Sequence, residues 1–257
     1  MWGMADRLSS RAAAFRAGWV LALDRFAIRA LDVAVSACLL LLVLPAIAAI
    51  ALAIRLESPG GVFFRCRRAG QDGRPLLMLK FRKMHASASG LALTTAEDVR
   101  LNRLGKFLAR TKLDEIPQLW NVLTGEMSLV GPRPEDPGFV ALQQESFREI
   151  LALRPGITGL AQLAFANEGW LLEATDAYNY YVEHLLPQKI QLDRLYAARQ
   201  SFAFNLKILL WTAVVLIRGC SVAVNRETGR LTIRRQPLPA SAPVGPLATE
   251  PEGSTAT

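Results

Sequence analysis

Cysteine and histidine are scarce in this 257-residue chain: Cys38, Cys66 and Cys220 are scattered and odd in number, and His85 and His184 are the only histidines. Three scattered thiols define no disulfide framework. Two histidines without a Cys-x-x-Cys spacing give no zinc-site pattern. Acidic residues are outnumbered, 22 against 30 lysines and arginines, which leaves a formal net charge of +8. Such a surplus suits nucleic acid, but no nucleic-acid-binding motif or interleaving of aromatics with the basic residues accompanies it, and the chain is read as having no nucleic-acid partner. Apolar residues, by contrast, make up 51% of the chain even without glycine, where globular domains reach about 45–50% with glycine included. That excludes a wholly disordered chain. The length suits one or two domains with a sizeable core.

The apolar excess is concentrated. Between Asp32 and Arg55 lie 22 residues without a charge, more than the ~18 that mark a membrane segment. About thirty residues precede this run, so it is not read as a cleaved signal peptide. Arg16, Arg25 and Arg29 stand before it, and Arg55, Arg65, Arg67 and Arg68 after it. The positive-inside rule therefore finds no asymmetry, and both flanks look cytoplasmic. Pro45 falls near the middle, where its missing N–H and its ring bend a helix. Each arm of about 12 residues rises ~18 Å, short of a ~30 Å hydrocarbon core. A helix that enters and leaves by one face and a kinked single-pass helix both fit these residues.

Around that segment the chain divides into 1–28, a basic interfacial lead-in; 29–57, the membrane helix; 58–220, a mixed domain; and 221–257, a tail read as disordered from about 234. The tail holds five of the 14 prolines and no periodic apolar pattern. In the domain, 61–65 and 76–81 read as strands of a hairpin around Gln71-Asp72-Gly73-Arg74-Pro75. Stretches 101–110, 115–124, 137–152 and 194–217 read as helices. The run 208–217 is too short to span and reads as a core or interfacial helix. The expected class is α+β and helix-rich, with a small β-hairpin and amphipathic interfacial helices.

Groups suited to phosphate are plentiful. Lys80, Arg82 and Lys83 follow the second strand, and Arg133 and Arg154 lie in proline-glycine loops, where arginine's planar fork suits bidentate phosphate contact. The same side chains would also serve anionic headgroups. Asp114-Glu115 precedes Pro117, which is tolerable if a helix starts here, with Gly125 at its C-terminus. Asp114 then reads either as an N-cap or as an ionised carboxylate able to attack phosphorus beside a carboxylate able to hold Mg²⁺. Prolines on both sides of Arg133 fix where its side chain points.

Taken in order, these segments resemble the bacterial sugar transferases, the monotopic polyprenyl-phosphate phosphoglycosyl transferases. The resemblance runs from about Arg29 to Ile217. It rests on Arg29-x-x-Asp32, the proline-broken membrane helix, Ser58 to Phe64 and Lys80-Phe81-Arg82. It continues through Leu113-Asp114-Glu115-Ile116-Pro117-Gln118-Leu119-Trp120-Asn121, Met127 to Pro134 and Arg154-Pro155-Gly156-Ile157-Thr158-Gly159. The resemblance implies that Asp114 is the nucleophile, attacking the β-phosphorus of a nucleotide-diphosphate sugar, a UDP-sugar, to give an aspartyl phospho-sugar. Polyprenyl (undecaprenyl) phosphate then takes the phospho-sugar. Glu115 matches the second catalytic member and the Mg²⁺ ligand, and Arg133 the nucleotide contact; Lys80, Arg82, Arg154 and Gln162 are carried as further substrate-binding residues. It also implies a re-entrant helix bent at Pro45, and a catalytic domain on the cytoplasmic face of the bacterial inner membrane, in contact with its lipids. The pathway implied is the first membrane step of a surface glycan such as an exopolysaccharide. The 194–217 stretch offers a surface for a homodimer.

Three positions depart from the family pattern: Leu44 stands where serine often precedes the proline, Ala109 stands where a basic residue precedes the dyad, and 162–168 carries no arginine. The alternative reading is a catalytically weakened homologue acting as a membrane scaffold or binding subunit in glycan assembly.

Overall fold

The computed structural model describes residues 2–85, 93, 98–166 and 176–234, with side chains from Ala22 onward. The tail from 235, most of 86–97 and the stretch 167–175 lie outside the described residues, and with them the end of the arginine-poor loop.

Helix α1 runs from Trp2 to Glu57 and carries Pro45 inside it. Its segment Ala22–Glu57 is, among the described residues, the one helix long and apolar enough to cross a membrane. Leu41, Leu42, Leu44 and Leu52 are exposed along it, as residues that face lipid are expected to be. Polar anchors hold both ends of the apolar run to the folded body. On one side Arg29 donates to Val122 O and Leu123 O (2.6 and 2.8 Å), and Asp32 accepts from Leu129 N (2.9 Å). On the other, Glu57 accepts from Leu104 N (3.1 Å) and Ile54 is buried with Phe81 and Leu108.

The expected hairpin forms, β1 (Phe63–Ala69) pairing antiparallel with β2 (Pro75–Phe81). Its turn uses Asp72 (φ 56°) and Gly73 (φ 71°). Leu76 and Met78 alternate inward with Leu77 outward, the period of a half-buried strand. Helix α2 (Arg103–Thr111) is capped by Asn102, whose Oδ1 accepts from Gly105 N (2.6 Å). It is followed by a 3₁₀ turn, Leu113–Glu115, and helix α3 (Gln118–Thr124), which ends at Gly125 in the left-handed region expected for it (φ 87°).

The stretch 137–152 is two helices, α4 (Pro137–Leu142) and α5 (Gln144–Leu151), because the backbone of Gln143 leaves helical geometry (φ −136°, ψ 44°). Two three-residue strands, β3 (Ser128–Val130) and β4 (Gly156–Thr158), pair in parallel and bring the loop after β3 against the loop that enters β4. Short helix α6 (Leu160–Ala164) follows β4.

Helices α7 (Ala177–Tyr180) and α8 (Leu186–Arg199) are joined by a π-helical turn, Tyr181–Leu185. The stretch 194–217 is likewise interrupted: Gln200 is extended, and Ser201 caps a new helix α9 (Phe202–Arg218) by accepting from Phe204 N (3.2 Å). A last hairpin, β5 (Val222–Val224) with β6 (Leu231–Ile233), buries Val222, Val224 and Leu231 in the main core, so the folded body continues past residue 220. That core also gathers Met78, Val122, Leu160 and Tyr196.

Candidate active site

Helix α2 ends on Lys112, a non-glycine residue in the left-handed region (φ 59°). That strained conformation turns the chain sharply into the 3₁₀ turn that carries the acidic pair. Leu113 and Ile116, which flank the pair, pack into the apolar cluster of Ile54 at the end of α1. The dyad is thereby fixed beside the C-terminal end of α1. The turn also settles the N-cap question. Helix α3 starts at Gln118 with Pro117 as its cap residue, so Asp114 lies outside the helix it was expected to cap. Its side chain is turned instead toward Lys83.

Asp114 is only 1% exposed, and Lys83 Nζ stands 2.9 Å from its Oδ2. Next to it, Glu115 Oε1 is held by Lys80 Nζ at 2.9 Å and by Arg133 Nη2 at 3.2 Å. Burial works to raise the Glu115 pKa, but the charges of Lys80 and Arg133 outweigh it and hold the carboxyl well below the usual carboxylate range. Two carboxylates thus face three cations drawn from β2, the segment after it and the Pro-Arg-Pro loop. A polyphosphate meeting this group would find each cation already aimed at a negative oxygen.

The loop after β3 carries Arg133, and it packs against the loop that leads into β4. Gly131 N donates to Thr158 O (2.9 Å), and Gly156 N donates to Pro132 O (2.8 Å). Their approach leaves no room for side chains: a Cβ on Gly156 would lie 2.1 Å from Gly131 N, and one on Gly131 2.5 Å from Arg154 O. Glycine at both positions is what lets the loops touch. Gln162 Nε2 then ties them together, 3.3 Å from both Gly131 O and Gly156 O.

Not every residue expected at the site reaches it. Lys80 and Arg133 meet the dyad. Gln162 sits behind it as the loop tie just described. Arg82 turns away and donates to Pro59 O, Ser58 O and Ser58 Oγ (2.6, 2.8 and 3.0 Å), clasping the chain as it leaves α1. Arg154 is exposed and lies within electrostatic reach of Asp32. Lys83 was singled out only as part of a basic cluster, and its pairing with Asp114 depends on the chain turning after β2 ends at Phe81.

Behind the Pro-Arg-Pro loop is a buried polar chain: Lys189 Nζ lies 3.1 Å from Tyr181 Oη, which donates to Glu135 Oε2 (2.6 Å). Asp193 is 5% exposed beside it. Burial pushes its carboxyl well above the ordinary range despite the charge of Lys189.

Among the described residues no three or more His, Cys, Asp or Glu side chains cluster as a metal cage. Mg²⁺ needs less: it commonly takes one or two carboxylates and completes its shell with phosphate oxygens and water. Asp114 and Glu115 supply adjacent carboxylates. Asp114 Oδ2 is buried and, although Lys83 stands close, accepts no well-aligned hydrogen bond. The pair therefore fits a magnesium ion that arrives with a diphosphate.

Comparison with known proteins places the site in context. The model of the family described as bacterial sugar transferase matches residues 23–219. A UDP-glucose:undecaprenyl-phosphate glucose-1-phosphate transferase of Escherichia coli (strain K12) is 38% identical over 198 residues, covering 74% of this chain and 40% of that protein. One of the same name from Caulobacter vibrioides is 39% identical over 194 residues, covering 74% of this chain and 69% of the relative. A UDP-N-acetylgalactosamine-undecaprenyl-phosphate N-acetylgalactosaminephosphotransferase of Aeromonas hydrophila is 36% identical over 163 residues, 61% of this chain and 37% of the relative. The chain thus spans about 40% of the length of the Escherichia coli and Aeromonas proteins and about two thirds of the Caulobacter one.

Proposed function

This chain belongs to the bacterial sugar transferase family, and we propose that it transfers a sugar 1-phosphate from a UDP-sugar to undecaprenyl phosphate at the cytoplasmic face of the bacterial inner membrane. The observation that carries the reading is the buried Asp114 beside Lys83, next to a Glu115 gripped by Lys80 and Arg133.

A carboxylate oxygen of Asp114 forms a bond to the β-phosphorus of the donor, and the bond from that phosphorus to the bridging oxygen breaks. The nucleoside monophosphate leaves with the electron pair. An oxygen of the polyprenyl phosphate then attacks the same phosphorus and displaces Asp114, giving the polyprenyl-diphosphate sugar. Lys80, Lys83 and Arg133 neutralise carboxylates in the ligand-free site. With the donor bound they exchange those partners for phosphate oxygens, so positive charge is in place where charge develops. Glu115, with Asp114, would hold Mg²⁺, which supplies neutralisation of the diphosphate. Burial of Asp114 keeps bulk water from the phospho-sugar ester.

The membrane helix supports the same reading. Arg29 and Asp32 before the apolar run, and Ile54 and Glu57 after it, all rest on one folded body. A straight crossing would carry one set to the far side of the bilayer. We therefore read the helix as re-entrant, bent at Pro45. The relatives' names include both glucose and N-acetylgalactosamine donors, so the reading stops at the UDP-sugar class.

The test is release of uridine monophosphate from a panel of UDP-sugars by the full chain in membranes supplied with undecaprenyl phosphate. One donor is expected to give both monophosphate and lipid-linked sugar, and Asp114→Asn to give neither a covalent phospho-sugar nor turnover. Inactivity with every donor would favour the scaffold alternative, and labelled protein persisting in Asp114→Asn would remove Asp114 as nucleophile.

A further inference from the structure

A cleft of about 420 Å³ lies between the end of α1 and the first turn of α2, away from the dyad; Glu57, Ser58, His85, Arg103 and Lys106 line it. That volume is within the ~300–1,000 Å³ of ordinary ligand pockets. We propose that this cleft docks a phosphate group carried on a lipid.

Depth is the first argument. The uncharged run ends at Ile54, and the cleft begins at Glu57 and Ser58. It therefore opens where the helix passes from hydrocarbon to the polar boundary, the level at which lipid phosphates lie. Charge is the second. The Arg103 guanidinium makes no hydrogen bond or ion pair among the described residues, and it shares the cleft with Lys106. The opposing carboxylate of Glu57 is turned onto Leu104 N at 3.1 Å. Side chains, and not the helix end, would hold the anion, because the N–H groups of Leu104 and Gly105 are taken by Glu57 and Asn102.

Rigidity is the third argument. A Cβ on Gly105 would lie 1.9 Å from Lys83 O, and Asn102 N donates to that same carbonyl (3.2 Å). Helix α2 is thus pressed onto the segment that carries Lys83 to Asp114. From Arg103 to the end of α2 is nine residues, ~13 Å at 1.5 Å per residue, and the dyad's turn follows. The cleft is a staging place one short helix from the nucleophile.

The same chemistry has two sources, the phosphomonoester of a polyprenyl acceptor and the phosphodiester of an anionic phospholipid. The first of these rests on the function proposed above.

The full chain in phosphatidylcholine nanodiscs would be titrated calorimetrically with geranylgeranyl phosphate and, separately, with phosphatidylglycerol. Arg103→Ala/Lys106→Ala is expected to weaken geranylgeranyl phosphate binding at least tenfold with an unchanged circular dichroism spectrum and melting temperature. Arg103→Lys is expected to retain most of the affinity. In turnover the KM for the lipid acceptor should rise by a similar factor while that for the nucleotide sugar stays within twofold. If phosphatidylglycerol binds as tightly as geranylgeranyl phosphate and loses as much in the double variant, the cleft is a general lipid-phosphate anchor. If it binds only weakly, the cleft is an acceptor dock. Unchanged binding of both lipids in the double variant overturns the proposal. Because binding is read without turnover, an enzyme inactive on every donor would refute the proposed function and leave the cleft to be decided on its own.

Discussion

Substituting Gly156 with alanine separates the positioning of Arg133 from its chemistry. The added Cβ would lie 2.1 Å from Gly131 N, 2.6 Å from Gly131 Cα and 2.7 Å from Val130 C. All three are backbone atoms, so no side chain can swing aside. Reaching even a tight contact of 3.4 Å requires the loops to part by about 1.3 Å. That parting stretches the Gly156 N to Pro132 O bond and both Gln162 contacts. Overpacking costs about 1–3 kcal/mol, and a weakened hydrogen bond adds about 1. Lower entropy of the unfolded alanine chain returns about 0.4–1. The net is ~1–3.6 kcal/mol, a fall of about 2–14 °C in melting temperature for a domain of this size. Activity should fall further than stability implies, because Pro132-Arg133-Pro134 moves with the loop, and a 1 Å misplacement costs about 100-fold. The assay is thermal unfolding beside kcat/KM for monophosphate release. Gly61→Ala is the control, since its Cβ would meet nothing nearer than Phe63 O at 3.6 Å. A Gly156→Ala protein melting within 2 °C of the parent and keeping more than about half its activity would refute the role given to this contact.

Lys83→Met removes the cation beside a carboxylate that is 1% exposed. Breaking a buried pair from one side costs about 3–5 kcal/mol, so a large drop in melting temperature is expected, with loss of the covalent adduct. Asp193→Asn carries a pH signature. Burial raises the folded-state pKa of Asp193 above its ordinary 3.8, so the folded protein holds a proton that the unfolded chain releases. Its contribution to stability is present below pH ~3.8 and is lost as pH rises toward the folded value. Asparagine does not ionise, so the variant should gain stability relative to the parent as pH climbs from 4 to 8. A difference constant over that range rejects the reasoning. Arg29→Met deletes two charge-assisted bonds to the C-terminal carbonyls of α3, each worth about 1.5–3 kcal/mol. Faster amide exchange in α3 is the expected readout.

Local chemistry was readable where the signal was local. The hairpin followed from its alternation and turn, the end of α3 from Gly125, and the long apolar helix from an uncharged run. Breaks within helical stretches were not: Gln143 carries no breaker signature, and at Gln200 the local signal is Ser201, the cap of the next helix. The strands β3 and β4 are three residues each, too short for a period, and their pairing joins segments 28 residues apart. The same limit applied to the site. A cluster of lysines and arginines after β2 was visible, but not that Lys83 faces Asp114 while Arg82 clasps Ser58. The glycines of Gly131-Pro132 and Pro155-Gly156 read as turn residues, yet they act as the contact surface between two loops.

The arrangement also accounts for a chain both apolar and basic. Leu113 and Ile116 press the acidic turn into the cluster under Ile54, and Arg29 and Asp32 tie the other end of the apolar run to α3 and β3. On the function proposed above, depth of insertion and position of the nucleophile are coupled through these packed side chains. A soluble diphosphate can approach the cations at Lys80, Lys83 and Arg133 from water. A lipid phosphate is confined to the plane in which α1 emerges. The two meet without either leaving its own phase only if the nucleophile is held at the boundary. In that reading the packed cluster of Ile54, Phe81 and Leu108 holds it there, and the charged residues around it have no need to enter the bilayer.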